Sequence, residues 1–373
     1  MSFIESKEAF MALSDTRFLT RRRALAATLA AQRVDTMLVT HLTHVRYLSG
    51  FSGSNGAVIV SKDLSALIAT DGRYTTQIAE EVPDIEVVVA RNCAVELLKG
   101  IEGPRRVGFE ADFVNVAQLE KLKEACPEDV TLVPISGVIE KIRITKDPIE
   151  RERLRAVADL ANSAFQELLD EGGIRAGRTE REVAADLEFK MRVKGAEHPS
   201  FDTIVASGPN SAKPHHSATD RVIEVGDLVT VDFGAHDRGF NSDTTRTVVV
   251  GEANAFSKEI YDIVLQAQLA GCAAAVPGAK LADVDKACRD VITNAGYGEY
   301  FVHSTGHGIG LDVHEAPWAA ATGTGELEEH MTLTIEPGIY VPGKGGVRIE
   351  DTLIITSGRP ENLTNLSKDL TIV

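Results

Sequence analysis

Short apolar, β-rich runs alternate with helix-like stretches over roughly the first 140 residues. Thr36 to Thr40, Ala57 to Val60, Ala66 to Thr70 and Ile85 to Val89 read as strands, with a tight turn at Asn55-Gly56. This alternation predicts an α/β domain over residues 1–143. The pattern then changes. Asp147 suits an N-cap and Pro148 the first helical position, and Leu154, Val157, Ala161, Phe165 and Leu168 share one helical face. Gly172-Gly173 should end that helix. Thr179 and Glu182 form a capping-box pattern for a second helix, ending near Gly195. Another pair follows, at about Phe256 to Ala275 and about Asp283 to Ala295, separated by Pro277-Gly278.

Each helix pair precedes a similar strand pattern. Leu228 to Val231 lead into Asp232, with Gly234 two residues later, and a return strand follows Asp243. Thr332 to Ile335 lead into Glu336, with Gly338 two residues later, and a return strand follows Glu350-Asp351. The spacing predicts a diverged duplication over residues 144–373, two helix-helix-hairpin halves about a pseudo-twofold axis.

A hydrophobic fraction of 43% and a charged fraction of 25% describe an ordinary globular chain. The net charge of -16 argues against nucleic acid and anionic membrane surfaces as partners. Cys93, Cys126, Cys272 and Cys288 are scattered without metal-ligand spacing, which fits a reducing compartment. Thr20-Arg21-Arg22-Arg23 followed by Ala24 to Ala31 resembles a secretion signal. Its short apolar part and the one-turn spacing of Leu25 and Leu29 fit an amphipathic surface helix better. A cytoplasmic protein is expected.

Acids on otherwise apolar strands carry the chemistry. A buried, unpaired carboxylate costs several kcal/mol, so Asp232, Asp243, Glu336 and Glu350 need strong partners. Symmetric pairing of the halves would bring all four together, where cations must separate them. His307, flanked by Gly306 and Gly308, is a fifth ligand candidate, since the glycines permit close backbone approach. His314 follows closely in sequence and His215 and His216 add imidazoles upstream, whereas His41, His44, His198 and His236 have no such context. This oxygen-rich set suits Mn²⁺ and accepts Co²⁺ or Zn²⁺. Two such ions could activate a shared water and polarise a carbonyl, which is hydrolytic chemistry.

Val231-Asp232-Phe233-Gly234, Ser242 to Thr247, Gly306 to Glu315, Ile335 to Gly338 and Val347 to Asp351 closely resemble the pita-bread metallopeptidases. The closest branch is that of Xaa-Pro dipeptidase (prolidase) and aminopeptidase P. Tyr47 to Gly56 and Asp71-Gly72-Arg73-Tyr74 resemble that branch's creatinase-like N-terminal domain, so the likeness covers nearly the whole chain. The resemblance implies an α/β domain followed by an α+β pita-bread catalytic domain, and a homodimer. Asp232, Asp243, His307, Glu336 and Glu350 would hold two metal ions, with Asp243 and Glu350 bridging them. Glu336 would also serve as general base. His215 and His314 would contact the scissile carbonyl, and Arg348 would orient Glu350 or a substrate carboxylate. The implied substrates are short peptides with proline second, and Phe201, Trp318 or Tyr340 are candidates for the proline pocket.

One departure stands out. Prolidase-like relatives often have an arginine just after His-Glu-x-Pro, able to grip a dipeptide's carboxylate, and this chain has Trp318 there. That shifts the expectation towards longer peptides. The competing possibilities are a non-catalytic binding protein on the same fold, a metal-free amidinohydrolase and a methionine-aminopeptidase-like exopeptidase. The full ligand set opposes the first two, and the large N-terminal domain opposes the third.

Overall fold

The computed structural model describes residues 16–373. They divide into two compact units, one ending at Arg143 and the other beginning at Ile144.

The first unit is built on a six-stranded mixed sheet of order β4-β3-β2-β1-β5-β6. Its strands are β1 (Thr36–Val39), β2 (Gly56–Ser61), β3 (Ala66–Thr70), β4 (Glu86–Val89), β5 (Arg105–Glu110) and β6 (Val130–Ile135). Leu38, Ile59, Ala69, Leu97 and Val107 fill one core of this unit. β5 and β6 lie outside the sequence expectation. β5 opens with exposed Arg105 and Arg106, and β6, though apolar, is an edge strand whose Pro134 argues against a strand. The helix Thr16–Leu29 is amphipathic as expected, with Thr20, Arg23 and Ala27 exposed. Leu25 and Leu29 are fully buried, and Arg21 and Arg22 turn inward too. Their Nη1 atoms donate to the Tyr47 and Leu48 carbonyls at 3.0 and 2.9 Å, satisfying the end of the helix Leu42–Ser49.

In the second unit the helix Pro148–Asp170 opens on a capping box between Asp147 and Glu150, and Glu180–Val193 on one between Thr179 and Glu182. These two helices pack on β8 (Ile204–Ser207), β9 (Leu228–Phe233) and β12 (Thr244–Val249) through a core including Phe165, Leu187, Val231 and Val248. The rings of Phe165 and Phe233 stack at 4.8 Å. The helices Ala255–Ala274 and Leu281–Asn294 pack on β15 (Thr332–Ile335) and β18 (Asp351–Ile354) through a second core including Val264, Val284, Leu333 and Leu353.

The two hairpins share a plan. β9 pairs with β12 and β15 with β18, both antiparallel. Each strand pair continues into an inner hairpin, β10 (Ala235–Asp237) with β11 (Phe240–Asn241) in one half and β16 (Gly338–Val341) with β17 (Gly345–Arg348) in the other. The strand acids lie where the outer ladder gives way to the inner one. Asp232 is in β9, Glu336 directly follows β15, and Asp243 and Glu350 directly precede β12 and β18. β7 (His198–Pro199) pairs with β10, while β13 (Gly306–Gly308) and β14 (Glu315–Ala319) form a separate two-stranded ladder.

Candidate active site

The four acids and His307 meet. Asp232, Asp243 and Glu350 each offer an oxygen within 4.8 Å of the others, and His307, Glu336 and Glu350 form a second group by the same measure. Glu350 belongs to both. Asp243, His307 and His314 make a third such group. The two halves are tied together here: the Glu350 N–H donates to the Thr245 carbonyl at 3.1 Å, and Thr245 Oγ1 donates to Glu350 Oε2 at 2.7 Å.

Burial, reinforced by repulsion from neighbouring carboxylates, pushes Asp243 and Glu350 well above the usual carboxylate range. Asp232 is raised for the same reasons, against the attraction of Arg348. Glu336 differs. Burial opposes its charge, but His307 beside it holds it down at about 2, with help from His303 and Arg348. His307 Nε2 lies 3.3 Å from Glu336 Oε1 and 3.6 Å from Asp243 Oδ2, and Thr334 Oγ1 donates to Glu336 Oε1 at 3.1 Å.

Asp232 Oδ1 and Glu350 Oε1 are buried with no hydrogen-bond partner. Polar atoms in that state are rare and costly, and here both are carboxylate oxygens aimed into a ring of further carboxylates. This donor set fits a pair of divalent cations.

The imidazole of His307 is prepared for such a role. Its Nδ1 lies 3.0 Å from the Gly308 carbonyl, an atom that only accepts, so Nδ1 carries the proton and Nε2 keeps its lone pair towards the acids. The flanking glycines are required sterically. A Cβ on Gly306 would lie 1.8 Å from the Thr334 carbonyl oxygen, and one on Gly308 would lie 2.2 Å from that of Ala316.

Arg348 is buried and fully engaged. Nη2 donates to Asp232 Oδ2 at 2.7 Å, Nη1 to the Tyr340 hydroxyl at 2.8 Å and Nε to Thr245 Oγ1 at 3.1 Å. Tyr340 is therefore a buried support, and its expected place in the pocket wall is corrected. Its hydroxyl also contacts His303 Nε2 at 2.8 Å. His303 is absent from the sequence-based site, although it stands only four residues before His307.

The four acids, His307 and Arg348 open on a cavity of about 730 Å³. His215, His303, His314, Phe201 and Trp318 line it beside the acids. His215 and His314 are exposed to it, and the His314 ring packs edge-on against His307 at 4.4 Å. His216 reaches the same wall but is anchored to buried Glu180 at 2.8 Å.

A duplicated α+β unit whose two halves each deliver two acids to one buried cluster defines a metallohydrolase. The chain belongs to Metallopeptidase family M24, which matches residues 152–357, and residues 21–145 match the Creatinase/Prolidase N-terminal domain. It has the pita-bread fold and is a metal-dependent peptidase. It is 43% identical to the solved Xaa-Pro dipeptidase from Bacillus anthracis, covering 95% of this chain and 100% of that one with a TM-score of 0.91. It is 39% identical to a Xaa-Pro dipeptidase of Pyrococcus furiosus over 90% of this chain and 95% of that protein. The X-Pro aminopeptidase of Thermotoga maritima shares 36% identity and a TM-score of 0.85, covering 94% and 99%.

Proposed function

We propose that this protein hydrolyses the bond between an N-terminal residue and a following proline, with Xaa-Pro dipeptides as its first substrates. The observation that carries this is the interlocked cluster of Asp232, Asp243, His307, Glu336 and Glu350 at the base of the cavity, with Glu350 common to both ligand groups. The names of the relatives support the proline preference.

Asp232, Asp243, His307, Glu336 and Glu350 would hold two divalent ions, Mn²⁺ by the hardness of the donors. When bound, such ions lower the pKa of a shared water towards ~7 and polarise a carbonyl. Glu336 is ionised at neutral pH and borders the cavity, so it can take the proton of the attacking water and deliver it to the departing proline nitrogen. His215 and His314 face the same space and can donate to the oxygen that gains charge as the carbonyl becomes tetrahedral. Arg348 holds Asp232 in place from behind.

A second substrate range has its own observation. Trp318 stands exposed on the cavity wall, and the two arginines lining that cavity are already bonded, Arg181 to Asp220 and Arg348 to Asp232. Arg348 is buried and spent, and Arg181 is an exposed side chain that gives Asp220 only its Nε, so the lining offers no rigidly held guanidinium to a dipeptide's carboxylate, which favours longer peptides. Hydrolysis of a Xaa-Pro dipeptide compared with a Xaa-Pro-Yaa tripeptide by Mn²⁺-loaded protein decides. Faster dipeptide cleavage supports the first range and a tripeptide preference the second. Cleavage of neither would overturn the proline assignment.

A further inference from the structure

Glu180 is a fully buried carboxylate outside the acid cluster, at the start of the helix Glu180–Val193. Its two oxygens clamp both ends of the segment 207–219. Oε1 accepts from the Ser207 N–H at 2.8 Å, the Ser207 hydroxyl at 2.7 Å and Asn210 Nδ2 at 3.0 Å. Oε2 accepts from His216 Nε2 at 2.8 Å, the Thr219 N–H at 3.0 Å and the Thr219 hydroxyl at 2.7 Å. Burial opposes its charge, but Asn210, Thr219, His216 and Ser207 together hold it down at about 2.

We propose that Glu180 is a positioning residue for His215, acting through the loop that carries it. This role rests on the reading that His215 donates to the scissile carbonyl oxygen. His215 is exposed on the cavity wall, so its place is set by the residues on either side. Both are tied down. The Pro214 carbonyl accepts from Arg348 Nη1 at 3.3 Å, and the His216 ring donates to Glu180. Arg348 also holds Asp232, so it fixes the loop against the acid cluster while Glu180 fixes it against the helix. The other half of the duplication uses the same device. Asp285, buried on the helix Leu281–Asn294, accepts from the N–H and hydroxyl of Thr305 at 3.2 and 2.9 Å, two residues before His307. Misplacing a reacting group by about 1 Å can cost about 100-fold in rate, so such anchoring has a kinetic consequence.

Glu180→Gln keeps the size of the side chain and removes its charge. Each oxygen of Glu180 accepts from a backbone N–H, so a glutamine nitrogen meets a donor in either orientation. The assay uses Mn²⁺-loaded protein and the faster of a Xaa-Pro dipeptide and a Xaa-Pro-Yaa tripeptide. With metal content unchanged, kcat should fall about 10- to 100-fold and KM should stay within about twofold. Amide hydrogen exchange over residues 207–219 should quicken in the same sample. In a His215→Ala background the substitution should cost no further rate, because the positioned group is gone.

A merely structural acid would lower the melting temperature and leave the kcat of folded, loaded protein unchanged. That result, or additive losses in the double variant, would overturn the proposal. A slow His215→Ala beside an unimpaired Glu180→Gln overturns the positioning role alone. Wild-type turnover by His215→Ala removes the role of His215 and the positioning role with it. If Glu180→Gln does not fold, the link nearest His215 is cut instead. His216→Ala should lower kcat about 10-fold, and His216→Gln, whose amide can still donate to Glu180, should restore most of it. Equal rates in those two variants contradict the proposal.

Discussion

Arg348 Nη2 donates to Asp232 Oδ2 at 2.7 Å, while the other oxygen of that carboxylate, Oδ1, is buried without a hydrogen-bond partner. One half of Asp232 is thus neutralised by the protein, and the other half is left for something the protein does not supply. The same division recurs at Glu350, where Thr245 satisfies Oε2 and Oε1 has no hydrogen-bond partner.

Replacing Arg348 by alanine removes the guanidinium that faces Asp232 and leaves a buried charge uncompensated. Loss of one partner of such a pair costs about 3–5 kcal/mol. Denaturant unfolding of Arg348→Ala should show a loss of that order, with peptidase activity down by at least about 100-fold. Arg348→Lys should recover only part of either, because an ammonium cannot bond Asp232, Tyr340 and Thr245 together. Wild-type stability in Arg348→Ala would contradict the assigned support.

Asp243→Asn and Glu350→Gln each remove a residue expected to bridge two ions. Both variants should lose turnover and bind less metal, as read by elemental analysis of the purified protein. Without metal they should be more stable than the wild type, because they relieve the repulsion that raises these two carboxyls. Full activity in either would refute bridging.

The pH dependence of the metal-free protein follows from the same groups. Asp243 and Glu350 bind protons more tightly when folded than when unfolded, so they favour unfolding more as pH rises. His307, also raised, contributes stability at low pH that is lost as pH rises through its folded pKa, which is the same direction. Glu336, held down at about 2, contributes stability that starts to be lost only below about pH 5 and is gone near its folded pKa. His303 and His314, both lowered by burial, work the other way below about pH 6.5, so the melting temperature of chelated protein should climb from about pH 8 to about pH 6.5. Metal-loaded protein should lack that climb, because protons compete with metal for the same oxygens. A chelated protein that is most stable at about pH 8 would show that the acids are not forced together.

His314→Ala should lower the rate by about 100-fold while metal content stays near normal, as expected for a donor to the developing oxyanion. Loss of metal in this variant would move His314 among the ligands, for which its grouping with Asp243 and His307 leaves room.

The helix pairs and strand acids are legible in the sequence because their signals are local. The N-cap at Asp147 and the capping box at Thr179 mark helix starts, and an acid ending an apolar strand stands out against its neighbours. The glycines around His307 are legible for a similar reason, since only close backbone approach requires them. His303 and Tyr340 are not. Their hydrogen bonds to each other and to Arg348 arise from tertiary contacts that no spacing reports. β5 escapes because it opens on two exposed arginines, and β6 because Pro134 sits inside its apolar run. The burial of Arg21 and Arg22, which donate to carbonyls of another helix, is likewise a tertiary contact that no spacing reports.

The central claim is that two divalent ions held by Asp232, Asp243, His307, Glu336 and Glu350 drive hydrolysis of Xaa-Pro bonds. Its most direct test measures metal content and Xaa-Pro dipeptide turnover on one sample as purified, after chelation and after reloading with Mn²⁺. Activity should vanish on chelation and return in step with occupancy, complete only at two ions per chain. Undiminished turnover by metal-free protein, or full turnover at one ion per chain, would contradict it.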